Sequence, residues 1–314
     1  MSASEVRKAE HDITIAAPAA EVYRLIAEVV HWPRIFPPTI YVDQFERGEH
    51  EERIRIWAVA NGEAKTWTSR RILDPEGLRI EFRQEVSTPP VAAMGGTWLI
   101  EPLSPALSRV RLLHDYRAVD DDPAHLTWIE QAVDRNSRSE LAALRHNVEL
   151  ATATGESTFS FVDTVRVAGS AKDVYDFINE AHLWPQRLPH VVRTRLEEDT
   201  PGLQSLEMDT RAKDGSVHST KSNRVCFPHQ RIAYKQVTLP ALLSLHTGCW
   251  TFEEAEHGVD ASSQHTVALN TENITQVLGP GAGIAEAKEF VHSALSTNSL
   301  ATLGHARDYA EGKR

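Results

Sequence analysis

The chain has 314 residues, with 33 Lys and Arg against 44 Asp and Glu and a formal net charge of −11. That length allows one large or two ordinary domains, each able to bury its own core, and the composition is that of a soluble globular protein. The acidic balance argues against a general nucleic-acid binder, and no apolar run approaches the length of a membrane span.

The opening residues Met1-Ser2-Ala3-Ser4-Glu5-Val6-Arg7-Lys8 lack the apolar core of a signal peptide. Two cysteines, Cys226 and Cys249, give neither a metal spacing nor a disulfide framework. A reduced, cytoplasmic setting without a metal is expected. A first strand is expected over about 10–16. A short helix follows, with Pro18 near its start and Glu21-Val22-Tyr23-Arg24-Leu25-Ile26 inside. His31 to Phe36 reads as a second short helix, closed by Pro37-Pro38.

Strand-like segments then lie near 40–46, 52–59, 64–73, 78–86, 93–101 and 109–117. Arg47-Gly48, Asn61-Gly62, Pro75-Glu76-Gly77, Pro89-Pro90 and Ser104-Pro105 supply the turns between them. In the stretch Lys65-Thr66-Trp67-Thr68-Ser69-Arg70-Arg71, strand alternation puts Trp67, Ser69 and Arg71 on one side. That side carries an aromatic wall, a hydroxyl and a cation. Asp122-Pro123 gives an N-cap and a first-turn proline for a long helix ending near Leu150. Its stripe of Leu126, Ile129, Val133, Leu141, Leu144 and Val148 is interrupted by Ser137. A hydroxyl there either bonds a carbonyl of its own helix or looks into a cavity under the helix.

The chain then repeats itself at one offset of 152 residues, as Trp32-Pro33 and Trp184-Pro185 show. Phe82-Arg83-Gln84 returns as Tyr234-Lys235-Gln236, and Gly96-Thr97-Trp98 as Gly248-Cys249-Trp250. Ser69-Arg70-Arg71 returns with a one-residue slip as Ser222-Asn223-Arg224, and Ser299 interrupts the second helix stripe between Leu295 and Leu303. The period is domain-sized, so two copies of one domain are expected, 1–152 and 156–314, joined through Ala151-Thr152-Ala153-Thr154-Gly155-Glu156-Ser157. The order is strand, two short helices, six strands, long helix. This is an α+β fold in which a curved antiparallel sheet wraps around the long helix and leaves a pocket for a small molecule.

This ordered set, occurring twice, resembles the di-domain aromatase/cyclases of bacterial type II polyketide synthases. The carriers of the resemblance are the Trp-Pro after the first helix, the Trp-x-Ser-x-Arg strand and the Gly-x-Trp strand. The resemblance implies tandem START-like helix-grip domains and a tunnel for a poly-β-ketone carried on an acyl carrier protein. It also implies other synthase subunits as partners, aldol closure and dehydration of a first ring between C7 and C12 of a C9-reduced chain, and no cofactor. By the same resemblance Arg71 and Arg224 would stabilise oxyanions, and Ser69 and Ser222 would orient carbonyl oxygens or a water. Gln84 and Gln236 would assist on a neighbouring strand. Trp32, Trp67, Trp98, Trp184 and Trp250 would line the tunnels, with Ser137 and Ser299 looking in from the helices. His265, or His114 in the first copy, would serve as acid or base. Thr39 stands where some single-domain relatives carry a tyrosine, and Thr220 replaces the strand tryptophan in the second copy. The first copy, which keeps the whole Trp67, Ser69 and Arg71 face, is expected to be the main chamber. The competing reading is a carrier that holds a lipid, sterol or finished polyketide without turnover.

Overall fold

Alternating buried and exposed residues turn each copy into one antiparallel sheet. The computed structural model describes residues 6–60, 63–153, 157–211 and 215–312. The expected Asn61-Gly62 turn, the first five residues and positions 154–156 of the expected junction lie outside these. The N-terminal copy runs β1 (Arg7–Ile15), α1 (Ala19–Ala27), α2 (Trp32–Ile35), β2 (Thr39–Arg47), β3 (Glu51–Ala60) and β4 (Glu63–Asp74). β5 (Arg79–Gln84), β6 (Val91–Ser104), β7 (Leu107–Ala118) and α3 (Pro123–Ala153) complete it. The strand order is β1-β7-β6-β5-β4-β3-β2, so the two helices after β1 carry the chain from one sheet edge to the other.

The helix starts where the side chains dictate. Asp122 Oδ1 accepts from the backbone N–H of Ala124 at 2.7 Å and of His125 at 3.2 Å, satisfying two donors that the first turn leaves open. Ile129, Val133, Leu141, Leu144 and Val148 are all buried, which presses the α3 stripe onto the sheet. His11 of β1 bonds Asp134 of α3 at 2.9 Å, and Asn147 donates to the Ile35 carbonyl of α2 at 2.9 Å. These bonds tie the two flanks of α3 to the sheet edge and to the short helices.

The C-terminal copy runs β8 (Thr158–Val167), α4 (Ala171–Asn179), α5 (Trp184–Arg187), β9 (Val191–Thr200), β10 (Leu203–Arg211) and β11 (Val217–Phe227). It continues with β12 (Arg231–Thr238), β13 (Leu243–Ala255), β14 (Gly258–Leu269), α6 (Ile274–Leu278) and α7 (Ile284–Glu311). Its sheet repeats the order, β8-β14-β13-β12-β11-β10-β9. The contact pattern divides the chain into two units between residues 155 and 156. Both copies have the helix-grip arrangement. α6 is an addition that the repeat does not contain. Ile274 is buried and Leu278 partly so, and both pack with Leu242, Leu243, Val267 and Val291. Among the described residues no helix is long and apolar enough to cross a membrane.

Candidate functional site

The tryptophan of each Trp-Pro pair and the strand arginine form a latch on the first helix of their copy. The last carbonyls of a helix have no partner within it and carry its negative dipole end. In the N-terminal copy Trp32 Nε1 donates to the Ile26 carbonyl at 3.0 Å, and Arg71 Nη2 donates to the same oxygen at 2.8 Å. Arg71 Nη1 adds the Ala27 carbonyl at 3.2 Å, and the guanidinium lies 5.1 Å from the Trp32 ring centre. In the C-terminal copy Trp184 Nε1 donates to the Phe177 carbonyl at 3.1 Å and Arg224 Nη2 to the Ile178 carbonyl at 2.7 Å. Arg224 lies 5.6 Å from the Trp184 ring centre.

The two arginines then part company. Arg71 is paired with Glu52 of β3 at 2.6 Å, with side-chain exposures of 1 % and 2 %. Glu52 also accepts from Gln44. Three of Arg71's five N–H groups are thus engaged by protein, and its charge is neutralised in place. Burial pulls its pKa down to about 10, so it stays protonated at neutral pH. Opposite Arg224 on β10, at the register position Glu52 holds beside Arg71, stands Gln204. Gln204 donates instead to Asn179 and to Glu198. Among the described residues Arg224 forms no ion pair, and its Nη1 has no hydrogen-bond partner although it is buried. Burial lowers its pKa as well.

Buried polar atoms are almost always satisfied, so each orphan asks for a partner. Gln204 Oε1, Gln236 Oε1 and His246 Nδ1 are orphans in the same copy. Ser222 pairs in register with Gln236, and Arg224 with Tyr234, so strand alternation places these side chains on one concave face.

Beyond Tyr234 that face continues as a polar line. Tyr234 Oη lies 3.1 Å from His265 Nδ1 and 3.4 Å from His246 Nε2, and the two imidazole nitrogens are 2.9 Å apart. His265 Nε2 contacts Ser299 Oγ of α7 at 2.7 Å and Ser263 Oγ at 3.0 Å. Burial is the first cause holding both histidines neutral, with His246 pulled down to about 3 and His265 to about 4. Burial also raises the Tyr234 phenol.

The N-terminal copy has only part of this line. Phe82 stands in register for Tyr234, Met94 for His246 and Leu112 for Ser263. His114 remains, 3.4 Å from Ser137 Oγ and pulled down to about 4 by burial. Phe82 meets His114 edge-on at 5.6 Å. The glycine of the Gly-x-Trp strand has a use in this layout. A Cβ on Gly248 would overlap Tyr234 Oη and the Gln264 carbonyl, and one on Gly96 would overlap the Leu113 carbonyl and crowd Phe82.

The other expected site residues fall as follows. Ser69 is buried and donates to the Arg83 carbonyl at 3.1 Å, on the strand beside Gln84, which is half-buried. Trp67 is half-buried and, like Trp32, packs on Val29, Val42, Ile54, Ile56 and Ala58. Trp98 is 5 % exposed and lies 6.2 Å from Phe36 within the main apolar cluster. Trp184 and Trp250 belong to the corresponding cluster of the second copy. The structure therefore brings Ser222, Arg224, Gln236, His265 and Ser299 onto one face. It sets Trp98, Trp184 and Trp250 in packed apolar surroundings.

Tyr234 and Ser263, which complete the polar line with His246, escaped the sequence reading as site residues. Glu140, one turn beyond Ser137 on α3 and half-buried, carries a carboxyl pushed up to about 7 by burial. Among the described residues no group of His, Cys, Asp and Glu is arranged to hold a metal ion.

Two family models, both described as "Polyketide cyclase / dehydrase and lipid transport", match residues 6–149 and 167–288. The granaticin polyketide synthase bifunctional cyclase/dehydratase of Streptomyces virginiae is 56% identical over 94% of this chain and 97% of its own. The actinorhodin polyketide synthase bifunctional cyclase/dehydratase of Streptomyces coelicolor is 43% identical over 98% of both. Among solved structures, the di-domain ARO/CYC BexL from the BE-7585A biosynthetic pathway shares 68% identity at a TM-score of 0.92, covering 97% of this chain and 99% of that one. The di-domain ARO/CYC StfQ from the steffimycin pathway shares 32% identity at a TM-score of 0.89, with 97% and 99% covered.

Proposed function

Because this chain belongs to the polyketide cyclase/dehydrase family, we propose that it works on a poly-β-ketone presented by an acyl carrier protein alongside other synthase subunits. It is a cyclase/dehydratase of a type II polyketide synthase. The substrate is a C9-reduced chain whose first ring closes between C7 and C12 by aldol addition and then loses water to become aromatic. The setting is cytoplasmic. The observation that carries this reading is the buried Arg224 guanidinium, whose Nη1 is orphaned on the face that also holds the neutral His265. A carrier of lipids has no use for an inward cation with no ion-pair partner among the described residues, which is expensive to bury.

In the aldol step a base removes a proton from the nucleophilic carbon and an enolate forms. The enolate carbon attacks the carbonyl, and the new bond leaves an alkoxide. A fixed donor aimed at that oxygen is worth most where water is excluded, and Arg224 Nη1 is such a donor. Gln236 and Ser222 orient the neighbouring carbonyls, and His265 with Ser299 moves the protons of dehydration. Arg71, already neutralised by Glu52, anchors α1 in the N-terminal copy. We therefore take the second copy as the main chamber, in place of the first.

The test is reconstitution with a minimal polyketide synthase and a ketoreductase, with products profiled by mass spectrometry. Adding the protein is expected to convert shunt products into one compound with an aromatic first ring. An unchanged profile, with the protein merely retaining a polyketide, selects the carrier.

A further inference from the structure

We propose that Tyr234 and His246 are positioning residues that fix the tautomer of His265 for the dehydration step, a role that rests on the cyclase/dehydratase reading above. Hydrogen-bond arithmetic sets the tautomers. A neutral imidazole has one N–H and one bare nitrogen, and the 2.9 Å contact between His246 Nε2 and His265 Nδ1 needs one of each. His246 Nδ1 is buried without a partner. Leaving a bare lone pair there is less costly than leaving a buried N–H, because orphaned N–H groups are the rarer case. His246 therefore carries its proton on Nε2 and donates to His265 Nδ1. His265 must then carry its own proton on Nε2, the nitrogen 2.7 Å from Ser299 Oγ.

Tyr234 holds this junction. Its hydroxyl reaches both imidazoles, and its ring meets His246 at 81° with centres 5.5 Å apart. Gly248, where a side chain would overlap the tyrosine hydroxyl, makes room for it. The same positions in the N-terminal copy carry Phe82 and Met94, so His114 there has neither partner.

The step balances without an added reagent. A base on the concave face takes the Cα proton, the electron pair forms the C=C bond, and the C–O bond breaks. Ser299 gives its proton to the departing oxygen, which leaves as water. His265 Nε2–H stabilises the oxygen that Ser299 leaves behind, and the base returns the Cα proton to Ser299 Oγ. Both imidazoles keep their tautomers and stay neutral throughout.

The experiment uses the full chain with His246→Met and Tyr234→Phe, each installing the residue of the N-terminal copy. Two readouts are taken. Nitrogen NMR of labelled protein reports which His265 nitrogen is protonated at neutral pH, and the reconstituted synthase reports the ratio of dehydrated to undehydrated cyclic product. Wild type is expected to show His265 protonated on Nε2. His246→Met is expected to lose that single tautomer and to slow dehydration by roughly a hundredfold, the scale of a displaced acid–base group, so that undehydrated product accumulates. Tyr234→Phe is expected to do the same to a smaller extent. If both variants keep the wild-type tautomer and ratio while wild type still cyclises, the positioning role is overturned. If wild type itself leaves the product profile unchanged, the cyclase/dehydratase reading is what fails.

Discussion

Replacing Glu52 with alanine is expected to lower the stability of the protein by about 3–5 kcal/mol, the effect of stranding one half of a buried ion pair. Arg71 and Glu52 are 1 % and 3 % exposed, so neither charge has solvent to fall back on. Arg71 keeps its proton at neutral pH, since burial lowers its pKa only to about 10. The variant therefore holds a full positive charge in the core with the Ile26 and Ala27 carbonyls and the Trp32 ring but no carboxylate beside it, and Gln44 loses its acceptor too. The double variant Glu52→Leu with Arg71→Met removes both charges at similar volume and is expected to recover most of the loss. Urea unfolding followed by circular dichroism measures both. A loss below about 1 kcal/mol for Glu52→Ala would mean that the pair is far better hydrated than its burial indicates.

Arg224→Ala is expected to act on chemistry instead. Removing a preorganised oxyanion donor typically raises the barrier by about 3 kcal/mol, roughly a hundredfold in rate. A poly-β-ketone cyclises spontaneously, so a slowed enzyme does not give the same compound later. It gives shunt products in place of the aromatic first ring. The fold is expected to hold, because the lost guanidinium forms no ion pair among the described residues and leaves behind mainly the Ile178 carbonyl, which Trp184 does not share. The assay is product profiling beside a thermal melt. Arg71→Ala, by contrast, is expected to show up first as a loss of stability, since it strands Glu52.

Much of the architecture was legible from periodicity alone. The offset of 152 residues announced two copies, and proline, glycine and Asp-Pro punctuation set the strands and the α3 start close to where they lie. α6 was not seen, because it sits where the second copy departs from the repeat. Strand alternation put Arg71 and Arg224 on the inner faces, yet it could not say what they touch. That depends on cross-strand register, which the sequence does not print. Glu52 and Gln204 occupy matching positions of the repeat, so their exchange was visible. Its meaning was not, until β3 was set beside β4 and β10 beside β11. The same holds for Tyr234, His246 and Ser263. Each is ordinary on its own strand and becomes a site only when β12, β13 and β14 lie side by side. Trp98 and Trp250 are buried, and because an indole suits either a pocket wall or a core, their place in the sequence fits both.

Giving Arg224 the carboxylate that its counterpart already has tests whether the C-terminal copy works through an arginine left without an ion pair. The double variant Gln204→Glu with Glu198→Gln exchanges amide and carboxylate across an existing 2.7 Å hydrogen bond, so net charge and the bond itself are kept. The measurement is the product profile of this variant in the reconstituted synthase. A folded protein that yields shunt products is expected, because the carboxylate introduced at position 204 then holds Arg224 as Glu52 holds Arg71. Wild-type proportions of the aromatic product from that variant would contradict it.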